Sequence, residues 1–281
     1  MAILLAIGAA IGWGAADFLG GAFRRETRVL VIVCVSELIG LVALVPVLLL
    51  RGVSLPTDPR LLLACVAGAG VTVELGLIYV ALSRGEAFIT PTVGALGAAT
   101  AVIVGLIGGD PLNLVVAAGL VCALLGGTAS AWTSDARRSG GGALRSATIC
   151  AGAAAALATM LICFHAAGRV DPYWATATEH ASTAVCAGLI ALASNRAQLR
   201  ECLPKRNQLS GLALVAVAGV GGDLAFATAS RNGALSIVSA ISSLYPITTI
   251  ALGMAIQRQR IGGIQAAGIT IALIGAALLG T

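Results

Sequence analysis

The sequence predicts an all-α membrane protein of ten transmembrane helices, arranged as two inverted five-helix repeats around a central cavity. Three observations predict it. Of 281 residues, 58% are hydrophobic and 10% are charged, against roughly 25% charged in a soluble domain. Lipid must therefore serve as solvent for most of the chain. Apolar runs of the length a bilayer requires, about 20 residues, recur near 2–22, 29–50, 60–83, 87–108, 112–132, 146–168, 172–194, 208–230, 234–256 and 261–280. Finally, Ala117–Gly126 (AAGLVCALLG) returns as Ala266–Gly275 (AAGITIALIG), with six of ten positions identical.

The first run has no basic segment before it and no small-residue cleavage site, so it reads as an uncleaved span. It carries Trp13 and Asp17 and closes at Arg24-Arg25-Glu26. Span two holds Glu37, and span three follows Pro56-Thr57-Asp58-Pro59 and holds Glu74. Pro91 interrupts span four, which ends at Asp110-Pro111; span five is the repeated helix. A linker at 133–145, with Arg137, Arg138 and Gly140-Gly141-Gly142, separates a first unit (1–132) from a second (146–281). In the second unit, span seven brings Glu179 and His180, span eight Asp223, and span nine Tyr245 and Pro246.

The duplication extends beyond the last helices. Ser83-Arg84 closes span three as Ser230-Arg231 closes span eight. Arg84 lies 35 residues before Gly119, and Arg231 lies 37 before Gly268. Asp110 and Gln257 hold equivalent places, and Ser36-Glu37 aligns with Thr178-Glu179. Five spans per unit is an odd number, so the second copy enters the bilayer upside down. Inverted repeats are a device of transporters, since exchanging the two halves' conformations moves an opening from one side to the other.

Charge gives an orientation and excludes some functions. Loops after odd-numbered spans carry thirteen basic residues and loops after even-numbered spans four. The odd loops are thus expected in the cytoplasm and both termini outside. The net charge of +5 is dispersed and aromatics are only 4%, which speaks against nucleic acid as a partner. The seven cysteines show no CxxC or Cys/His ligand spacing and read as small packing residues, so neither a metal nor another cofactor is expected.

These residues resemble the drug/metabolite transporter superfamily, specifically its ten-span EamA-like branch. The resemblance covers essentially the whole chain and rests on Gly12-Trp13-Gly14 with Ala16-Asp17-Phe18, Tyr79-Val80-Ala81-Leu82, Pro91, and the AAG…ALLG and AAG…ALIG helices. It implies a secondary carrier in the cell membrane that exports or imports small metabolites. The family often places a glutamate before the final helix of each half; here Asp110 and Gln257 stand there.

Ionisable groups within spans cost about 2.5–3.5 kcal/mol each on insertion scales, so each asks for a reason. Glu74 falls near the midplane of its span, with Gly70 and Gly76 beside it. A midplane carboxyl suits proton coupling, although an acid bonded between helices is the structural alternative. Glu37 and Glu179 align through the repeat, which puts them near the pseudo-twofold axis where substrate sites lie. Thr176 and Thr183 share a face with Glu179, whereas His180 is turned from it by about 100° and reads as a backbone-bonded side chain. Asp17, with Trp13 one turn before it, suits a cationic or zwitterionic solute, or else snorkels towards Arg24 and Arg25. Asp223 follows Gly221-Gly222. Pro91 and Pro246 free carbonyls about one turn earlier and mark hinges or packing kinks; Tyr245 is the neighbouring candidate for substrate contact.

The function expected is proton-coupled efflux of a small cationic or zwitterionic solute, with lipid as surroundings and a monomeric or homodimeric chain. A passive channel would need a repeated polar stripe along one helix. An intramembrane enzyme would need a concentrated constellation such as HExxH, and only two histidines, His165 and His180, exist.

Overall fold

A computed structural model of the protein describes residues 1–21, 29–82, 89–130, 143–193 and 208–280. The segments Arg24-Arg25-Glu26, Ser83-Arg84 and most of the expected linker lie outside the described residues. The first half comprises α1 (Ala2–Gly21), α2 (Val29–Arg51), a 3-10 turn at Pro59–Leu62 leading into α3 (Leu63–Leu82), α4 (Ile89–Ile107) and α5 (Leu114–Ser130). The second comprises α6 (Ala143–Gly168), α7 (Pro172–Ala193), α8 (Leu209–Asn232), α9 (Leu235–Ser242), α10 (Tyr245–Gln257) and α11 (Gly263–Leu278). Among the described residues all regular structure is helical. With α9 and α10 counted as one interrupted span, there are ten.

Six segments are long and apolar enough to cross a membrane: Ala2–Gly21, Leu30–Arg51, Pro59–Ala81, Leu144–Gly168, Leu209–Asn232 and Leu235–Gln257. Thr92–Ile107, Leu114–Ser130 and Gly263–Leu278 are shorter apolar helices. Leu4, Leu49, Leu114, Leu125, Val217 and Ile274 stand exposed on the outer surface, as lipid-facing side chains should. The protein is a multi-pass membrane protein. α7 is the polar helix of the set, and its buried stripe of Thr176, Glu179, His180 and Thr183 explains why.

The helices meet mainly across the two halves. α1 packs on α8, as α6 packs on α3; α1 packs on α9 and α10, as α6 packs on α4; α2 packs on α8, as α7 packs on α3. Each pair converts into its counterpart when spans one to five are exchanged with six to ten. The pairs that convert into themselves run antiparallel. Along α2 and α7, Cys34 Sγ donates to the Ala184 carbonyl (3.4 Å), while at the other end Arg51 meets Asp171. Along α5 and α11, a Cβ at Gly119 would meet Gly275 and Leu279, and one at Gly126 would meet Gly268 and Ala272. The repeated AAG…G helices are thus crossed face to face on their own glycines, which is the close-approach geometry that small residues permit.

Span nine is interrupted just before Pro246. α9 ends at Ser242, and α10 restarts at Tyr245 with the proline in its first turn. Pro91 stands two residues after Ile89, where the described part of α4 begins.

Two ties join the halves at the face of the even-numbered loops. Arg51 donates from Nη1 and Nη2 to the two oxygens of Asp171 (3.0 and 2.8 Å), and its guanidinium lies 4.0 Å from the centre of the Tyr173 ring. Asp171 also accepts from the backbone N–H groups of Tyr173 and Trp174 (3.0 and 2.9 Å), so it caps α7. Burial pushes the Asp171 carboxyl up, but Arg51 and those two N–H groups together outweigh it and hold it below its ordinary range. The second tie is Asp110, whose Oδ2 accepts from the Ser236 N–H at 2.7 Å, at the start of α9. Its sequence equivalent Gln257 instead accepts from Gln259 at the exposed end of α10 (2.6 Å).

Candidate functional site

Small residues let α1 approach two helices of the other half at once. A Cβ on Gly12 would lie 2.6 Å from Gly222, and one on Gly14 would collide with Tyr245 and Thr248. Thr249 Oγ1 donates to the Gly14 carbonyl at 3.0 Å and pins α10 there. Trp13, held between the two glycines, stacks obliquely on Phe226 (centroids 5.3 Å apart). Its indole N–H donates to Asp223 Oδ1 at 2.8 Å. Sequence reasoning pairs Trp13 with Asp17; the structure gives it Asp223, on a helix 210 positions away.

Asp223 opens onto an acid cluster centred on His180. The imidazole Nδ1 contacts Glu37 Oε2, while Nε2 lies 3.1 Å from Asp223 Oδ2 and 4.0 Å from Glu179 Oε2. His180 is 1% exposed and Glu179 3%. Thr183 donates to Glu179 Oε1 at 2.7 Å, whereas Thr176 donates to the Pro172 carbonyl at 2.8 Å. α3 closes this side. A Cβ on Gly68 would lie 2.5 Å from the Glu179 carbonyl, and Thr183 also reaches the Gly68 carbonyl (3.2 Å). Thus Glu37 and Glu179, aligned through the repeat, meet across the contact of their own helices. Their shared neighbour is His180, which the helical phase had set apart.

A second group lies along the inner face of α1. Asp17 is within Coulombic reach of Glu74 on α3 and of Tyr245 at the start of α10, and Glu74 and Tyr245 also sense each other. Glu74 is buried, at 8% exposed, whereas Asp17 is exposed. Trp13, one turn away on the same face, packs inward, so the Asp17 carboxyl faces space bounded by helices of both halves. The Tyr245 hydroxyl is directed towards α4, where a Cβ on Gly94 would be 3.7 Å from it. Gly70 and Gly76, which flank Glu74, do different things. A Cβ on Gly70 would lie 2.9 Å from the Ala156 carbonyl of α6, but nothing lies within 4 Å of one on Gly76.

Of the sequence candidates, Glu37, Glu179, Asp223 and Trp13 therefore come together around His180, and Asp17, Glu74 and Tyr245 form the neighbouring group. Pro246 lies in the first turn of α10, and Pro91 lies near the first described residue of α4. Among the described residues every arginine stands in a loop or within a turn of a helix end, so no cation from Arg or Lys enters either group.

Comparison with known proteins decides the family. The model of the EamA-like transporter family matches residues 1–130 and 145–281. The chain belongs to that family. No curated protein matches it. A solved structure described only as "Crystal structure of protein" is similar over 99% of this chain and 96% of its own, with a TM-score of 0.75 at 17% identity, which shows a shared fold. As an EamA-like transporter the chain is not an enzyme, and the two family domains coincide with the halves that exchange their contacts.

Proposed function

We propose that this EamA-like transporter is a secondary carrier that moves a small cationic or zwitterionic solute by alternating access, coupled to protons and working in the direction of efflux. The observation that carries this reading is the gathering of five acids, from α1, α2, α3, α7 and α8, between the two halves, with no Arg or Lys of the described residues among them. An anionic solute would want basic partners there. A positively charged group would offset part of the cost of burying these acids. Orientation follows from the basic loops: the Arg51–Asp171 and Asp110–Ser236 ties close the outer face, and separating them while the other face closes would expose the same acids outward.

Within this scheme Glu74 carries the coupling proton. It is the carboxyl of the second group most enclosed by the helices. The titratable groups facing it are Asp17 of α1 and Tyr245 of α10, neither of them a fixed cation. The test is flux in proteoliposomes across a panel of amino-acid-like and quaternary ammonium solutes. Saturable movement stimulated by an imposed pH gradient is expected, and Glu74→Gln should remove the stimulation, a loss of about tenfold or more. Flux that never saturates would mark a passive pore instead. An unaltered pH response in the Glu74→Gln protein would remove the proton from this residue.

A further inference from the structure

We propose that Glu37, Glu179 and His180 form a binding site for a divalent transition-metal ion where α2 crosses α7. Each of the three residues offers a ligand atom, and these atoms all lie within 4.8 Å of one another. A cluster of acids alone would say little, but two further features point to a ligand. Glu179 Oε2, in a residue 3% exposed, accepts no hydrogen bond, and the two imidazole nitrogens, in a residue 1% exposed, face carboxylate oxygens of Glu37 and Asp223 without hydrogen-bond geometry. Buried polar atoms are seldom left so.

The surroundings orient the group as metal sites are oriented. Thr183 occupies Glu179 Oε1 and leaves Oε2 turned towards the ring. The Trp13 indole occupies Asp223 Oδ1 and leaves Oδ2 facing Nε2. Such outer hydrogen bonds fix ligand direction and raise ligand basicity. Gly40 keeps room for the ring, since a Cβ there would come within 3.3 Å of Cε1 and Nδ1.

The donor set selects the class of ion. One imidazole with carboxylates suits Zn²⁺, Mn²⁺, Co²⁺ or Ni²⁺; Mg²⁺ and Ca²⁺ prefer all-oxygen shells. The soft sulfur nearby is engaged elsewhere, because Cys34 donates to the Ala184 carbonyl. A double positive charge also matches a site where three carboxyls gather with no Arg or Lys of the described residues beside them. The inference rests on the carrier reading in one respect: it names a class of cation that the carrier's own acids would hold.

The probe is Co²⁺, titrated into the purified full chain in detergent and followed by calorimetry, by its visible absorption and by quenching of tryptophan emission. Saturable binding of one ion per chain is expected. Quenching should be largest for Trp13, through its bond to Asp223, and should shrink in a Trp13→Phe protein. Glu37→Gln and Glu179→Gln should each weaken binding at least tenfold, while Ser182→Ala, whose lost hydroxyl donates to the Cys65 carbonyl, should leave it unchanged. Should either Gln variant fold poorly, Gly40→Ala provides a second route, since its methyl, 2.7 Å from Val220 Cγ2 and 3.3 Å from the ring, crowds the imidazole and should weaken Co²⁺ without removing a ligand. Binding that never saturates, or that is equally tight in the Glu179→Gln and Gly40→Ala proteins, overturns the site. The carrier reading fails separately. Gradient-driven flux without Co²⁺ binding leaves transport standing and removes the metal, and Co²⁺ binding without any saturable flux does the reverse.

Discussion

The two acid groups divided by α1 differ in how their charges are held. Around His180 three carboxyls converge on one imidazole, and Thr183 and Trp13 fix two of them from behind. Around Glu74, Asp17 and Tyr245 stand within Coulombic reach: Asp17 is exposed, and Tyr245 sits at the start of a helix restarted by Pro246. The first group is cross-linked between halves and so belongs to the architecture as much as to the chemistry. The second is looser and adjoins a break, which suits a site that changes its surroundings during a cycle. Substitutions should separate the two by where they act, on stability or on flux.

The largest effect is expected at His180. Replacement by leucine leaves Glu37, Asp223 and Glu179 together without their shared partner. Breaking a buried charged arrangement by removing one member costs about 3–5 kcal/mol. The detergent-solubilised protein should melt many degrees lower, while Glu74→Gln should melt within a degree or two of the parent. Equal melting of the two proteins would erase the distinction between the groups.

That distinction was only partly legible in the sequence. The pairing of Glu37 with Glu179 was, because an internal alignment carries positional information across the chain. His180 was not, because helical phase ranks faces only for a helix with one buried side. α7 is wedged between α2, α3 and α8, so positions 100° apart (one residue's turn of the helix) both point inward. The bond from Trp13 to Asp223 depends on α1 crossing α8 at Gly12 and Gly222, and no local spacing encodes which helices cross. The spans themselves were readable to within a few residues, since bilayer thickness sets their length. The prolines show the remaining gap: residue type gives the capacity to break a helix, but only the structure shows where one ends, as at Ser242 before Pro246.

A middle effect is expected at the clasp between the halves. Arg51→Gln should lose the paired charge-assisted bonds and the contact with Tyr173, about 1.5–3 kcal/mol for a partly buried pair. The pH dependence carries a sign. Asp171 has its carboxyl held below the ordinary range, so its contribution is complete above the unfolded carboxylate pKa. That contribution is lost as pH falls through the lower folded value. Melting curves of the parent should therefore show an acid-side loss that Arg51→Gln largely lacks. In flux assays the same variant should alter turnover if the proposed alternating-access cycle opens this tie. An acid-side loss of equal size in both proteins would assign it to other carboxyls.

The smallest effects should come from the two glycines beside Glu74, and they test the looser group most finely. An added methyl at Gly70 would meet the Ala156 carbonyl at 2.9 Å, a backbone atom that cannot swing aside, so α3 and α6 must separate slightly. A cost of about 1–2 kcal/mol follows, in the range for overpacking. At Gly76 the same methyl meets nothing within 4 Å, and relief of the glycine penalty in a helix should add up to about 1 kcal/mol of stability. Melting should thus move in opposite directions for Gly70→Ala and Gly76→Ala, although both lie within a turn and a half of the same carboxyl. If Gly76→Ala proves as damaging as Gly70→Ala, the space beside Glu74 is occupied, and the contrast between a packed site and an open one loses its ground.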